Sequence, residues 1–220
     1  MKFREMTLNA RKAMVYWSAS SELLQDSVPG TSQAMVQSAA STLAMQIDRE
    51  IWSGTGAGQG LGVINAGCTL VHAKDGGQSA STVTYTNLSG MVSRLLPSSW
   101  NSAMWVIHPS VLTALFGVYL ATGASGGIPL PLSQGADGSY RLFGRPMIVS
   151  DFAGPLSSQG DVSLVDLSYM AVGFREDLRF EVSRDHLFSS DEVAYRIVQR
   201  RDLQPILPSA VTPARGSTTL

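Results

Sequence analysis

The stretch that decides the fold runs from Ser18 to Gly62 and reads SASSELLQDSVPGTSQAMVQSAASTLAMQIDREIWSGTGAGQGLG. A short Glu-Leu-Leu-Gln-Asp-Ser turn leads through Pro29-Gly30 into a long helical pattern, which ends in a glycine-rich run. Met35, Val36, Ala39, Ala40, Leu43, Ala44, Ile47 and Ile51 recur at three- and four-residue steps, the signature of an apolar helical stripe. From Ser32 to Ile51 such a helix is about 30 Å long at ~1.5 Å per residue. The glycines come after this helix. In phosphate-binding loops they come before one, so that helix N–H groups face the anion. A helix C-terminus presents carbonyls and a partial negative charge instead. The run Gly54–Gly62 also fails GxGxxG in every register, because the required glycine falls on Gln59 or Leu61. The segment therefore reads as a structural spine with Gly54 as its C-cap, where glycine enters the left-handed conformation without cost. Asp48 and Glu50 on the last turn oppose the helix dipole and call for cations from elsewhere.

Composition agrees with a structural role. The chain has 220 residues, of which 15% are charged, against roughly 25% in soluble domains generally. A monomer normally clothes itself in charge, so the shortfall points to surface covered by neighbours. Net charge is −1, and Lys2, Lys12 and Lys74 are the only lysines, too sparse for sequence-independent DNA binding by clustered cations. Cys68 is the single cysteine, which excludes an internal disulfide and a cysteine-only zinc site. Met1–Lys12 mixes both charge signs without an apolar core, so no signal peptide is expected. Ala103–Ala121, the most apolar stretch, is broken by His108-Pro109 and is too short to span a membrane.

Along the chain, alternation from Met6 into Trp17 predicts a strand, with Ser21 capping the turn that follows. Thr31 or Ser32 offers the N-cap of the long helix. Further on, the expected elements are a strand at Val83–Tyr85, a helix at Leu88–Leu96 capped by Thr86 or Asn87, and a buried strand at Met104–Ile107. A helix over Val111–Phe116 opens at Pro109. Ala121–Gly138 reads as a glycine-rich mobile loop. Tyr140–Phe143 and Met147–Ser150 pair around Gly144-Arg145-Pro146. Val162–Val165, Ala171–Phe174, Leu178–Val182 and Glu192–Leu203 complete the strands, and Pro205–Leu220 reads as an extended tail. The class is α/β or α+β with mixed sheets.

No constellation asks for catalysis. Gly123-Ala-Ser125-Gly-Gly127 matches the GxSxG nucleophile elbow, which needs a strand before the serine and a helix after it. Gly-Gly-Ile-Pro follows Ser125 and starts no helix, and only His186 lies downstream as a base. His72, His108 and His186 are too widely spaced for a metal site, and His108 before Pro109 reads as a packing or capping residue. The acidic cluster Asp185, Asp191 and Glu192 is accompanied by Arg184, Arg196, Arg200 and Arg201, which suits salt-bridged strand ends. No catalytic, cofactor-binding or metal-binding residue is assigned, and the expectation is of a protein that is not an enzyme.

Taken in order, several segments resemble one family. They are Thr7-Leu-Asn-Ala-Arg-Lys12, Ser18-Ala-Ser-Ser-Glu-Leu-Leu-Gln-Asp-Ser27, the long helix, and Trp52-Ser-Gly-Thr-Gly-Ala-Gly-Gln-Gly-Leu-Gly62. Trp105-Val-Ile-His-Pro109, Leu142-Phe-Gly-Arg-Pro146, Arg175-Glu-Asp-Leu-Arg179 and Arg200-Arg-Asp202 follow. This order is similar to the major capsid protein of tailed bacteriophages, with the Hong Kong 97-like fold. The motif positions carried over are Glu22, Leu23, Leu24, Asp26, Gly54, Gly56, Gly62, Pro109, Gly144 and Pro146.

The resemblance implies the α+β class, with a peripheral domain of residues 1–62 and 183–203, an axial domain of residues 63–182, and a terminal segment of 204–220. It implies a structural subunit that self-assembles into pentamers and hexamers around double-stranded DNA, located in the virion capsid and assembled in the bacterial cytoplasm. Portal, scaffold and maturation protease are the implied further partners; no membrane is. An encapsulin-like compartment shell is the alternative on the same fold, and a serine hydrolase using Ser125 is the alternative from another class. Family members carry an N-terminal arm and an extended two-stranded loop ahead of the Ser-x-Glu-Leu-Leu segment, whereas this sequence begins at about the returning strand of that loop. Some relatives crosslink a loop lysine to an asparagine. No asparagine lies between Arg184 and Leu220, so no such crosslink is expected.

Overall fold

A computed structural model describes residues 5–26, 31–120, 128–129, 132–135 and 138–207. In chain order the elements are β1 (Arg11–Ser20), α1 (Ser21–Asp26), α2 (Thr31–Ser53), α3 (Tyr85–Ser93), β2 (Met104–Ile107), α4 (Leu112–Phe116), β3 (Tyr119–Leu120), β4 (Ile128–Pro129), β5 (Leu132–Gln134), β6 (Tyr140–Leu142), β7 (Arg145–Val149), β8 (Val162–Val165), β9 (Met170–Leu187) and β10 (Glu192–Pro205), with short 3-10 turns between them. The class is α+β, as the sequence predicts. The chain divides into two compact units: the described residues of Met1–Gly62 and Ala171–Gln204 form the first, and those of Val63–Met170 and Pro205–Leu220 the second.

In the first unit, β1, β10 and β9 form a three-stranded sheet in that order. β1 pairs antiparallel with β10, with Val15 opposite Ile197 and Trp17 opposite Tyr195. The link Phe188–Asp191 is too short for a parallel crossover, so β9 and β10 run antiparallel as well. Alternate residues of a strand share a face, and Ala13, Val15, Trp17 and Ile197 pack against Ala39 and Leu43 of α2. Two expected strands, Ala171–Phe174 and Leu178–Val182, are parts of the single strand β9. The charged Arg175–Asp177 run separates the two expected strands, yet strand pairing carries the backbone through it. For the same reason residues 171–182, expected with 63–182, belong to the first unit.

The second unit carries a five-stranded sheet ordered β5-β6-β7-β2-β8. β2 lies parallel to β7 and antiparallel to β8. Its core joins Leu88, Trp105, Ile107, Leu115, Val118, Leu142 and Met147. The indole Nε1–H of Trp105 donates to the Leu142 carbonyl at 3.0 Å, which satisfies the one polar atom of a fully buried side chain. Residues 83–85 are not a strand. Thr84 caps α3 in a capping box with Asn87, so the helix starts at Tyr85 and neither Thr86 nor Asn87 is its cap. Most of the expected loop Ala121–Gly138 lies outside the described residues; of its described part, β4 pairs with β3 and β5 with β6, strands that flank it.

Candidate functional site

The motif positions fall into three local structures. Glu22, Leu23, Leu24 and Asp26 lie on α1, a helix in which no residue is fully buried. Ser20, not Ser21, caps it: its Oγ accepts from Leu23 N at 3.2 Å. Ser21 instead ties α1 to the β9–β10 turn. Its N–H donates to Asp191 O at 3.0 Å, and its hydroxyl contacts the Asp191 carbonyl and carboxylate. Asp191 adopts a left-handed conformation with φ 53°, which closes this turn.

Gly54, Gly56 and Gly62 belong to a close-packed turn after α2. Gly54 N donates to Glu50 O at 3.0 Å, Gly56 N to Gly60 O at 3.1 Å and Gly62 N to Gly54 O at 2.8 Å, while Leu61 N reaches Leu203 O of β10 at 2.8 Å. Positive φ occurs at Gly56 and Gly58, not at Gly54. Glycine is needed at Gly54 because a Cβ there would strike the Gly60 and Glu50 carbonyls. One on Gly62 would lie 2.6–2.7 Å from Gly54 N, Glu50 O and Trp52 O. The expected reason for Gly54 is thus corrected from backbone dihedral to close approach. The acidic end of α2 finds its cation on β10, where Arg201 Nη2 lies 3.3 Å from Glu50 Oε1 with both side chains nearly fully buried.

Pro109, Gly144 and Pro146 lie in the second unit. His108 is a capping residue, with Nδ1 accepting from Ser110 N at 3.1 Å, and Pro109 occupies the first position of the 3-10 turn it opens. Leu142 opposite Arg145 leaves a two-residue hairpin turn, and Phe143 and Gly144 both take positive φ, 51° and 74°, as a type I′ turn requires. Phe143 packs on Tyr85 and Trp105, which holds a bulky residue in this conformation. Pro146 follows on β7, opposite Arg141. The neighbouring Arg145 is buried, stacks 4.5 Å over the Trp100 ring and donates twice to the Trp100 carbonyl.

Apolar surface concentrates in the first unit. On β9, Val172, Phe174, Leu178, Phe180 and Val182 are 41–53% exposed, and Phe188 at the strand tip is 85% exposed. Phe180 stacks on Tyr195, which stacks on Trp17, so a row of rings crosses the sheet. β9 is also an edge strand, with no neighbour beyond it among the described residues. On the opposite side of β10, Arg196 bonds Glu181, which also pairs with Arg179 at 2.8 Å. These arginines, with Lys12, hold the Glu181 carboxyl below its ordinary range. Such a row of apolar side chains beside an unpaired edge marks an interaction surface and an aggregation hazard if left bare.

Catalytic geometry is less developed. Ser125 lies outside the described residues, and His186 packs edge-on to Tyr16. A cavity of about 630 Å³ in the second unit is lined by His72, Lys74, Asn87 and Asp161, where burial pushes the Asp161 carboxyl up. Among the described residues no group of three or more histidine, cysteine or carboxylate side chains is placed to hold a metal. None of the described helices is long and apolar enough to cross a membrane.

Residues 1–216 match the Phage capsid family. The chain belongs to that family. No curated protein gave a significant match. Among solved structures, the capsid of an empty GTA particle computed with C5 symmetry superposes with a TM-score of 0.69 at 17% identity, over 91% of this chain and 72% of that one. A Gordonia phage Cozz chain gives 0.62 at 18% identity, covering 92% and 69%. The holo-SrpI encapsulin complex of Synechococcus elongatus gives 0.65 at 13% identity, covering 91% and 71%. At these identities the likeness is one of fold, the Hong Kong 97-like capsid fold predicted from the motif order.

Proposed function

We propose that this phage capsid family protein is a non-enzymatic structural subunit that self-assembles into pentamers and hexamers, closing an icosahedral shell around double-stranded DNA in the virion. The observation that carries the reading is the bare apolar row of β9 on a short-cored unit, in a member of a capsid family. Isolated subunits gain by covering it, at roughly 25 cal/mol per Å² of apolar area buried. Near-neutral net charge suits a wall that encloses DNA without gripping it. Assembly in the host cytoplasm, with a portal, scaffold and protease as partners, follows from the same reading. Negative-stain microscopy of the purified chain tests it: rings or closed shells are expected, and a strictly monomeric particle at high concentration refutes it.

The encapsulin match favours one second reading, a compartment shell on the same fold. Nucleic acid in purified particles supports the capsid, and protein cargo in its place supports the compartment. Fluorophosphonate labelling at Ser125 would contradict the non-enzymatic assignment.

A further inference from the structure

We infer that α1 of one subunit docks on the Lys12–Arg200 face of the β1–β10 sheet of a second copy of this chain. The inference rests on the shell-subunit reading and names a contact that reading leaves open. α1 presents Glu22, Leu23 and Asp26 to solvent and fully buries no residue of its own. Isolated helices this short do not persist in water. Its N-terminus is nevertheless fixed by the Ser20 cap and the Ser21–Asp191 bonds, so the acidic face is held in place with Glu22 and Asp26 exposed. Among the described residues neither Glu22 nor Asp26 enters an ion pair.

The sheet supplies the complement. Lys12 stands directly opposite Arg200 in the β1–β10 register. Like charges in that relation destabilise a pair unless an anion lies between them. Among the described residues neither is ion-paired, and the buried Arg200 Nε has no hydrogen-bond partner among them. The nearby carboxylate Glu181 is engaged by Arg179 and Arg196. Beside the two cations, Met14 and Tyr16 lie on the same face of β1, each 48% exposed. Lys12, Met14 and Tyr16 thus face outward beside the half-buried Arg200, and two carboxylates with an exposed leucine face outward elsewhere on the same chain. Glu22 and Asp26 pair with Lys12 and Arg200, and Leu23 covers Met14 and Tyr16. The contact is heterologous, the kind that closes into rings when the rotation permits.

Charge reversal tests this on the full chain. Glu22→Lys with Asp26→Lys is expected to raise the concentration needed for assembly at least tenfold, read by light scattering and microscopy, without moving the thermal midpoint. Lys12→Glu with Arg200→Glu is expected to do the same, and Lys12→Glu alone serves if the half-buried Arg200 position disturbs folding. The quadruple variant is expected to recover assembly. Wild-type assembly should also weaken as salt rises, because exposed charges are screened over about 10 Å at 0.1 M. Shells that form equally well from both reversed variants overturn the inference and leave the shell reading standing. A wild-type chain that never associates overturns both. Duplex DNA binding that needs Lys12 and Arg200, with assembly untouched by their reversal, assigns the face to nucleic acid and overturns the inference.

Discussion

The two units solve the problem of burial differently. The second surrounds Trp105 with large apolar neighbours from α3, α4 and four strands of its sheet and leaves that core closed. The first clusters Ala13, Ala39, Leu43 and Ile197 and also buries Trp52, Val198 and Leu203, supplements them with the buried Glu50–Arg201 pair, and leaves Phe174, Leu178 and Phe180 of β9 half bare. One unit is stabilised by its own packing. The other is organised by hydrogen bonds, close glycine contacts and charge, and has surface to give to a neighbour.

Mutations in each unit can break or sharpen that contrast. The largest loss is expected from Trp105→Ala, about 3–5 kcal/mol for the emptied core, with the indole hydrogen bond to the Leu142 carbonyl lost in addition. Chemical denaturation followed by circular dichroism reads this, and a loss under 1 kcal/mol would show that the second unit is not core-dominated.

Next, Glu50→Ala strands the Arg201 guanidinium and should cost about 3–5 kcal/mol, while replacing both partners by apolar residues recovers most of it. A double variant as unstable as the single one would make the pair more than an electrostatic clasp.

Gly62→Ala should cost about 1–3 kcal/mol, because its Cβ meets backbone atoms that cannot retreat. Phe174→Ser and Phe188→Ser should change the stability of the isolated subunit by no more than about 0.5 kcal/mol, as surface substitutions do, yet suppress assembly. Equal effects on stability and assembly would mean the row packs within the subunit.

The smallest effect is a pH response. Ser102, Ser168 and Ser99 donate to the Asp166 carboxylate and outweigh the desolvation that opposes them, which lowers it to about 2. A depressed folded-state value means that its contribution is complete above the ordinary carboxylate range and is lost as pH falls toward about 2. Asp166→Asn should therefore lower the thermal midpoint at pH 6, with the deficit shrinking to a small part of that by pH 2. A midpoint deficit as large at pH 2 as at pH 6 would assign the effect to packing.

Much of the fold was legible because it follows local rules. The α2 stripe and the bounds of β2 and β8 are set by periodicity acting over a few residues, and a turn at Gly144 by turn chemistry, although it falls on Phe143-Gly144 and leaves Arg145 and Pro146, expected in the turn, on β7. What escaped was non-local. The single strand β9 passes through Arg175-Glu-Asp177, whose charges mask a strand that only pairing with β10 fixes. The cap at Thr84 was missed because a β-like Val83–Tyr85 pattern outweighed the threonine and asparagine three apart. Of the candidate site, the identity of α1 and the glycine turn was readable, whereas the pairing of Glu50 with Arg201 joins residues far apart in sequence.

The sequence by itself determined the α+β class, the long spine helix, the glycine terminator and, through the order of its motifs, the capsid family. Short-range sterics and hydrogen bonding write those features into neighbouring residues. Only the tertiary structure decided that Gly54 is required by close backbone approach, that residues 171–182 belong with the first unit, and that β9 leaves its apolar side chains open. Burial is a property of what lies across from a residue, and no local pattern states what that will be.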